Sequence, residues 1–170
     1  MTLPLNFYRS TKEKPYHLSV GCIVVNEKGK MLTRHFKVFH EKEMEIFLFP
    51  TETIEQHETL EETFHRGLLE EVGVQAEIIS FIGSLMGPAQ SGNKVFEKTV
   101  VYFLGKIISI SNPLTPNEDG VSTVEWHTPE FLLEHVLQQV DYIQTSVLNE
   151  EKVIRTAQEV LKMNKDELHL

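Results

Sequence analysis

The chain has 170 residues, 41% of them hydrophobic and 24% charged, a balance that suits one globular domain with its own core and excludes a fibre or a disordered tail. Sixteen basic against 25 acidic residues leave a net charge of −9, which disfavours a basic surface that tracks nucleic-acid backbone. The single cysteine excludes an internal disulfide, the longest apolar runs fall short of a membrane span, and no basic-then-apolar leader opens the sequence, so a soluble cytoplasmic protein is expected.

Met1 to Tyr16 carries Pro4 and Pro15 and no clear period, which predicts an N-terminal extension over residues 1–16 ahead of one α/β (α+β) domain over residues 17–170. His17 to Asn26 is apolar and β-branched and predicts a buried strand, with Cys22 as an inert thiol inside it. Asn26-Glu27-Lys28-Gly29 supplies a turn, and Lys30 to Val38 completes a hairpin. A short strand from Glu45 to Phe49 stops at Pro50, and Thr51 to His57 predicts a polar loop. From Glu58 to Val72 the period turns helical: Leu60, Phe64, Leu68 and Val72 recur every fourth residue, Leu69 widens the stripe, and Gly73 follows as a left-handed cap.

Strands are then expected at Val74–Met86, Phe96–Ile108 and Val121–Trp126, separated by loops holding Gly87-Pro88, Ser91-Gly92-Asn93 and Asn112-Pro113. The loop from Gly87 to Asn93 is either a plain connection or a gate to a substrate. Helices over Pro129–Gln139 and Thr145–Met163 close the chain. Phe49, Phe81, Phe96, Phe103 and Trp126 are expected in the core. The reading is a mixed sheet with a central helix, without repeat or linker.

The chemistry concentrates between Pro50 and Val74. On a helical wheel with Leu60 at zero, Glu71 falls at about 20°, beside the apolar arc, Glu70 at about 280°, and Gly67 at about 340° between them. A carboxylate beside an apolar arc is partly desolvated and needs a cation or hydrogen-bond donors. Two acids near a helix C-terminus also oppose the macrodipole, and a bound divalent ion would compensate both costs; a solvated acidic face is the alternative. Arg66 stands one turn before Glu70 and about two turns after Glu58, within reach of both. Phosphate loops, dinucleotide fingerprints and nucleophile elbows have no counterpart in the sequence.

The spacing Glu58-x7-Arg66-x3-Glu70-Glu71-x-Gly73-Val74, after the strand end at Phe49-Pro50, resembles the Nudix box, and Ile54, Glu55 and Glu58 resemble its loop. The hairpin before it, the strand from Phe96, and Glu118-Asp119-Gly120 leading to Val124-Glu125-Trp126 share the family's character, so the resemblance spans roughly His17 to Val160. It implies a Nudix-type α/β/α sandwich whose loop-helix-loop motif binds Mg²⁺ or Mn²⁺. The implied activity is that of a pyrophosphatase acting on a nucleoside diphosphate linked to another moiety. Glu70 and Glu71, with the carbonyl of Thr51, are implied as metal ligands; Glu58 and Arg66 as the pair that organises the loop; Glu70 and Arg66 as the residues that carry catalysis. The implied partner is a small nucleoside-diphosphate-type molecule, with neither membrane nor nucleic acid, and a homodimer is open.

Two positions depart from that pattern. Glu52 stands where the box has its first Gly, and Gly67 stands where a Glu should follow Arg66. In the family that second acid binds metal or helps to activate water, so one rung of a carboxylate ladder reads as deleted. Three functions follow: a metal-dependent hydrolase with Glu97 or Glu118 as substitute acid, a catalytically degenerate nucleotide-binding or regulatory module, or an assembly protein that uses its C-terminal helices. If the missing rung limits activity, Gly67→Glu is expected to raise it.

Overall fold

The computed structural model describes residues 8–39, 42–91, 93–111, 122–139 and 149–164. Seven strands form one sheet: β1 (Tyr16–Val25), β2 (Met31–Phe39), β3 (Lys42–Leu48), β4 (Thr51–Thr53), β5 (Val74–Ser91), β6 (Lys94–Ile110) and β7 (Ser122–His127). Three helices join them among the described residues: α1 (Leu60–Val72), α2 (Pro129–Gln139) and α3 (Glu151–Met163). The strand order is β3-β2-β1-β6-β5, with β4 paired to β1 and β7 paired to β2. The sheet is mixed, because β1 runs parallel to β6 along its whole length while the other pairs are antiparallel.

The alternation of β1 explains the layers. Val20, Cys22 and Val24 point to one face, where Phe64, Leu68 and Val72 of α1 cover them. Ile23 and Val25 point to the other, where Leu132 and Val136 of α2 and Val153, Ile154 and Ala157 of α3 complete a second core. Helices thus cover both faces, giving the α/β/α sandwich that the resemblance implies. No helix among the described residues is long and apolar enough to cross a membrane.

The structure corrects several expectations. Thr51–Thr53 is not loop but β4, drawn into the sheet by pairing with Ser19–Gly21. Gly87–Ser91 is strand as well: β5 runs on through Gly87 and Pro88, which face Lys98 and Glu97 of β6, so most of the expected loop, whether connection or gate, is hairpin strand. Pro88 is tolerated because β5 is an edge strand, where a missing N–H disrupts no further ladder. Leu60 and Leu69 lie on the exposed side of α1, leaving Phe64, Leu68 and Val72 as its buried stripe. Phe81 is exposed rather than core, next to register shifts that break the alternation of β5, whereas Phe49 is buried. Residues 112–121 and 140–148, with the Asn112-Pro113 turn and the start of the last predicted helix, lie outside the described residues.

Candidate functional site

Local sequence fixes the helix that carries most of the box. Thr59 caps α1 by accepting from the Glu62 backbone N–H at 3.1 Å, and the Glu62 carboxylate accepts from Thr59 N–H at 2.7 Å, a reciprocal capping box. At the other end Gly73 takes φ 65°, and its N–H meets the last carbonyls of the helix. The turn before the helix holds His57 at φ 77°, the one left-handed non-glycine among the described residues.

Arg66 is the hub of the site. Its Nε donates to Glu58 Oε1 at 2.6 Å and its Nη2 to Glu58 Oε2 at 2.9 Å, a bidentate pair. Nη2 also donates to the Thr53 carbonyl at 2.9 Å, tying β4 to the helix. Nη1 donates to Glu70 Oε2 at 3.2 Å and lies 3.4 Å from Glu52 Oε1. Glu58 in turn accepts from Glu55 N–H and the Thr63 hydroxyl, both at 2.9 Å, so its carboxylate pins the loop. Beside Arg66 the Glu58 carboxyl is held down at about 2, and Arg66 is held more firmly cationic.

Glu71 lies one residue on, toward the sheet. Burial pushes its carboxyl up to about 7; Arg34 pulls it down, while the Glu52 charge pushes it further up. Arg34 of β2 donates from Nη1 to Glu71 Oε2 at 3.4 Å and bonds Ser122 Oγ of β7 through Nε and Nη2. The Lys98 ammonium of β6 lies within electrostatic reach of Glu52, Glu71 and Glu150. Cys22 is buried and donates to the Phe64 carbonyl at 3.8 Å; burial and the nearby Glu71 and Glu52 push its thiol up, which leaves it inert.

The two departures from the box touch each other. Gly67 is buried, and a Cβ there would lie 2.5 Å from Glu52 Cβ and 3.0 Å from Glu52 Cγ, closer than real side chains approach. Glu52 sits in extended β4 opposite Val20, and its Oε1 accepts from Thr53 N–H at 2.9 Å. Thr51 opens the same strand opposite Gly21.

Glu52, Glu70, Glu71 and the Thr51 carbonyl offer oxygen only, the donor chemistry that hard divalent ions take. Among the described residues no three His, Cys, Asp or Glu side chains form a ready ligand array; Arg34 and Arg66 hold these acids instead. The donors thus fit a hard divalent ion in kind but are not gathered into a preformed array, Glu71 lying on Arg34 and Glu52 and Glu70 on Arg66.

Of the substitute acids expected from the sequence, Glu97 is exposed on β6 opposite Pro88 and lines a cavity of about 440 Å³ with Tyr8, Tyr16, His17 and Lys98. Glu118 lies outside the described residues. The cavity adjoins the box through His17, whose Nε2 shares a 2.9 Å hydrogen bond with Thr53 Oγ1. Burial and the nearby Lys98 and Arg9 hold His17 down at about 4, so it is neutral at pH 7. Arg34 and Lys98 are not legible in the sequence because only strand pairing brings them to α1, and each shares its strand with other charged residues, Lys37 in β2 and Lys94, Glu97 and Lys106 in β6.

The sequence matches the model of the NUDIX domain over residues 15–145. No curated protein matches it. Among solved structures the chain is similar to a NUDIX hydrolase from Nitrosomonas europaea, with TM-score 0.60 and 14% identity over 84% of this chain and 88% of that one. The E. coli ORF135 protein aligns with TM-score 0.55 and 16% identity over 85% and 89% of the two chains. A MutT protein from Methanosarcina mazei Go1 aligns with TM-score 0.55 and 19% identity over 91% and 99%. At these identities the likeness is one of fold.

Proposed function

The chain belongs to the Nudix family, and on that premise we propose that it hydrolyses a diphosphate bond in a nucleoside diphosphate linked to another moiety, using Mg²⁺ or Mn²⁺ held by Glu70, Glu71 and the Thr51 carbonyl. The observation that carries this reading is the Arg66 clamp. One guanidinium closes on Glu58, the Thr53 carbonyl and Glu70 at once, so the box loop and the box helix are locked together as a cation-binding loop requires. Four hydrogen bonds to three partners at one turn support a loop built to hold a ligand rather than a solvated acidic face.

A divalent ion bound there supplies charge to screen the phosphates and polarise the phosphorus centre under attack by water. The chain's own residues do the rest. Arg66 positions Glu70 through Nη1, and Glu58 positions Arg66. Arg34, anchored on Ser122, fixes the direction of Glu71 and is a cation available to a phosphate oxygen. Tyr8, Tyr16 and neutral His17 offer aromatic faces for a base in the adjoining cavity, with Lys98 on its wall for a phosphate.

A second reading, a nucleotide-binding module without catalysis, has one observation in its favour: Glu70 and Glu71 are already satisfied by arginines. One experiment separates the two. A panel of nucleoside-diphosphate derivatives is incubated with Mg²⁺ or Mn²⁺ and either the natural protein or Glu70→Gln, and phosphorus products are counted. The hydrolase reading expects turnover of at least one panel member and a loss on the order of 10²-fold in Glu70→Gln. A nucleotide that raises the melting temperature and is never consumed establishes the second reading instead.

A further inference from the structure

We propose that Glu52 supplies the third carboxylate of this cation site, delivered from β4 instead of from α1, so that Glu52 and Gly67 form one exchanged pair rather than two independent losses. The inference rests on the metal-dependent reading above and names a ligand that the box spacing does not assign. Three observations carry it.

The first is steric. The Cβ and Cγ of Glu52 occupy the space through which any side chain at position 67 would have to leave the helix. Position 67 must therefore lack a Cβ while position 52 has one, and the reverse arrangement, Gly at 52 and Glu at 67, fills the same volume from the other side. Backbone conformation does not demand glycine at 52, because Glu52 lies in an extended strand and His57 is the only non-glycine with positive φ among the described residues.

The second is the place of the carboxylate. Glu52 Oε1 lies 3.4 Å from Arg66 Nη1, the nitrogen that also bonds Glu70 Oε2 at 3.2 Å, so both acids converge on one atom. The Thr53 N–H at 2.9 Å fixes the side chain there. The third is burial: the Glu52 side chain is 20% exposed, the same as Glu71, which places it among the box acids rather than at the surface. Glycine in a helix interior is itself unfavourable, so its presence at 67 needs a cause, and the Glu52 stem is that cause.

The test reads binding and stability rather than turnover. The full chain, stripped of metal, is titrated with manganese(II) chloride, free Mn²⁺ is followed by electron paramagnetic resonance, and melting is recorded in parallel. Glu52→Gln is expected to weaken Mn²⁺ binding by about tenfold or more, as Glu70→Gln does. Gly67→Glu alone is expected to lower the melting temperature, and so is Glu52→Ala combined with Gly67→Glu, because each keeps a Cβ at 52. Glu52→Gly combined with Gly67→Glu is expected to recover both the melting temperature and the Mn²⁺ affinity to within about threefold, a coupling that only an exchanged pair produces. If Glu52→Gln binds Mn²⁺ like the natural protein while Glu70→Gln does not, Glu52 merely packs, and the exchange is overturned while the cation site stands. If Gly67→Glu alone melts like the natural protein and binds Mn²⁺ more tightly, the exchange is likewise overturned. If the natural protein binds no Mn²⁺, the exchange and the cation site fail together.

Discussion

Glu58 accepts four hydrogen bonds, two from Arg66 and one each from Glu55 N–H and Thr63, and this saturation is why its carboxyl is held at about 2. A native value below the unfolded carboxylate value of about 4.3 means that the unfolded chain binds more protons in that window. The stabilisation by Glu58 is therefore complete above the unfolded value and is lost as pH falls towards 2. Glu58→Gln is expected to cost about 1–2 kcal/mol at pH 7, measured by denaturant unfolding, with the difference from the natural protein shrinking to nothing near pH 2. A constant difference at every pH would show that packing, not charge, sets the role of Glu58. At the same scale the structure reverses the outcome expected for Gly67→Glu, since Glu52 Cβ would lie 2.5 Å from the added Cβ. Spacing along the sequence shows which residue type is missing, but not which distant atom has taken its space.

At the scale of elements, α1 was legible because its ends are local. Thr59 with Glu62 and Gly73 in the left-handed region are short-range signals, and Thr59→Ala should cost about 1 kcal/mol in unfolding free energy. A cost near zero would mean that tertiary packing alone sets the start of the helix. β4 was not legible, since three residues become a strand only by pairing with β1, and that pairing brings Glu52 to α1. Arg34 reaches Glu71 for the same kind of reason, by way of a strand with no sequence neighbour in the box.

The start of α3 is tied in by a buried acid. Glu150 accepts from Phe49 N–H at 3.1 Å and from the Tyr102 hydroxyl at 2.8 Å, and burial pushes it up to about 8, with the Lys98 charge pulling it back. Here the native value lies above the unfolded one, so the folded state binds the extra proton. Stability from this group is full below about pH 4 and is lost as pH rises through 8. Glu150→Gln keeps an acceptor for Phe49 N–H and removes the titration. It is expected to flatten the stability profile between pH 5 and 8 and to exceed the natural protein at pH 9 by on the order of 1–3 kcal/mol. An unchanged slope in thermal melts across that range would remove Glu150 as its source.

For the whole molecule, the α/β/α layering followed from the alternation of β1 and the four-residue period of α1, both visible in the sequence because each element must bury one face. What makes the layers a site is long-range: β4 and β2 bring Glu52 and Arg34 to the helix that carries Glu70 and Glu71, while β1 and β6 hold His17 and Lys98 beside them. The fold supplies the rigidity and the acids supply the charge, and hydrolysis would need a cation to join the two.

The most direct measurement is diphosphate cleavage by metal-stripped protein as Mn²⁺ is added back, run beside Glu70→Gln. The account predicts no cleavage without the ion, a saturable rise with it, and a midpoint displaced by about tenfold or more to higher Mn²⁺ in Glu70→Gln. Cleavage that proceeds unchanged in the stripped protein, or a midpoint that Glu70→Gln leaves in place, would contradict it.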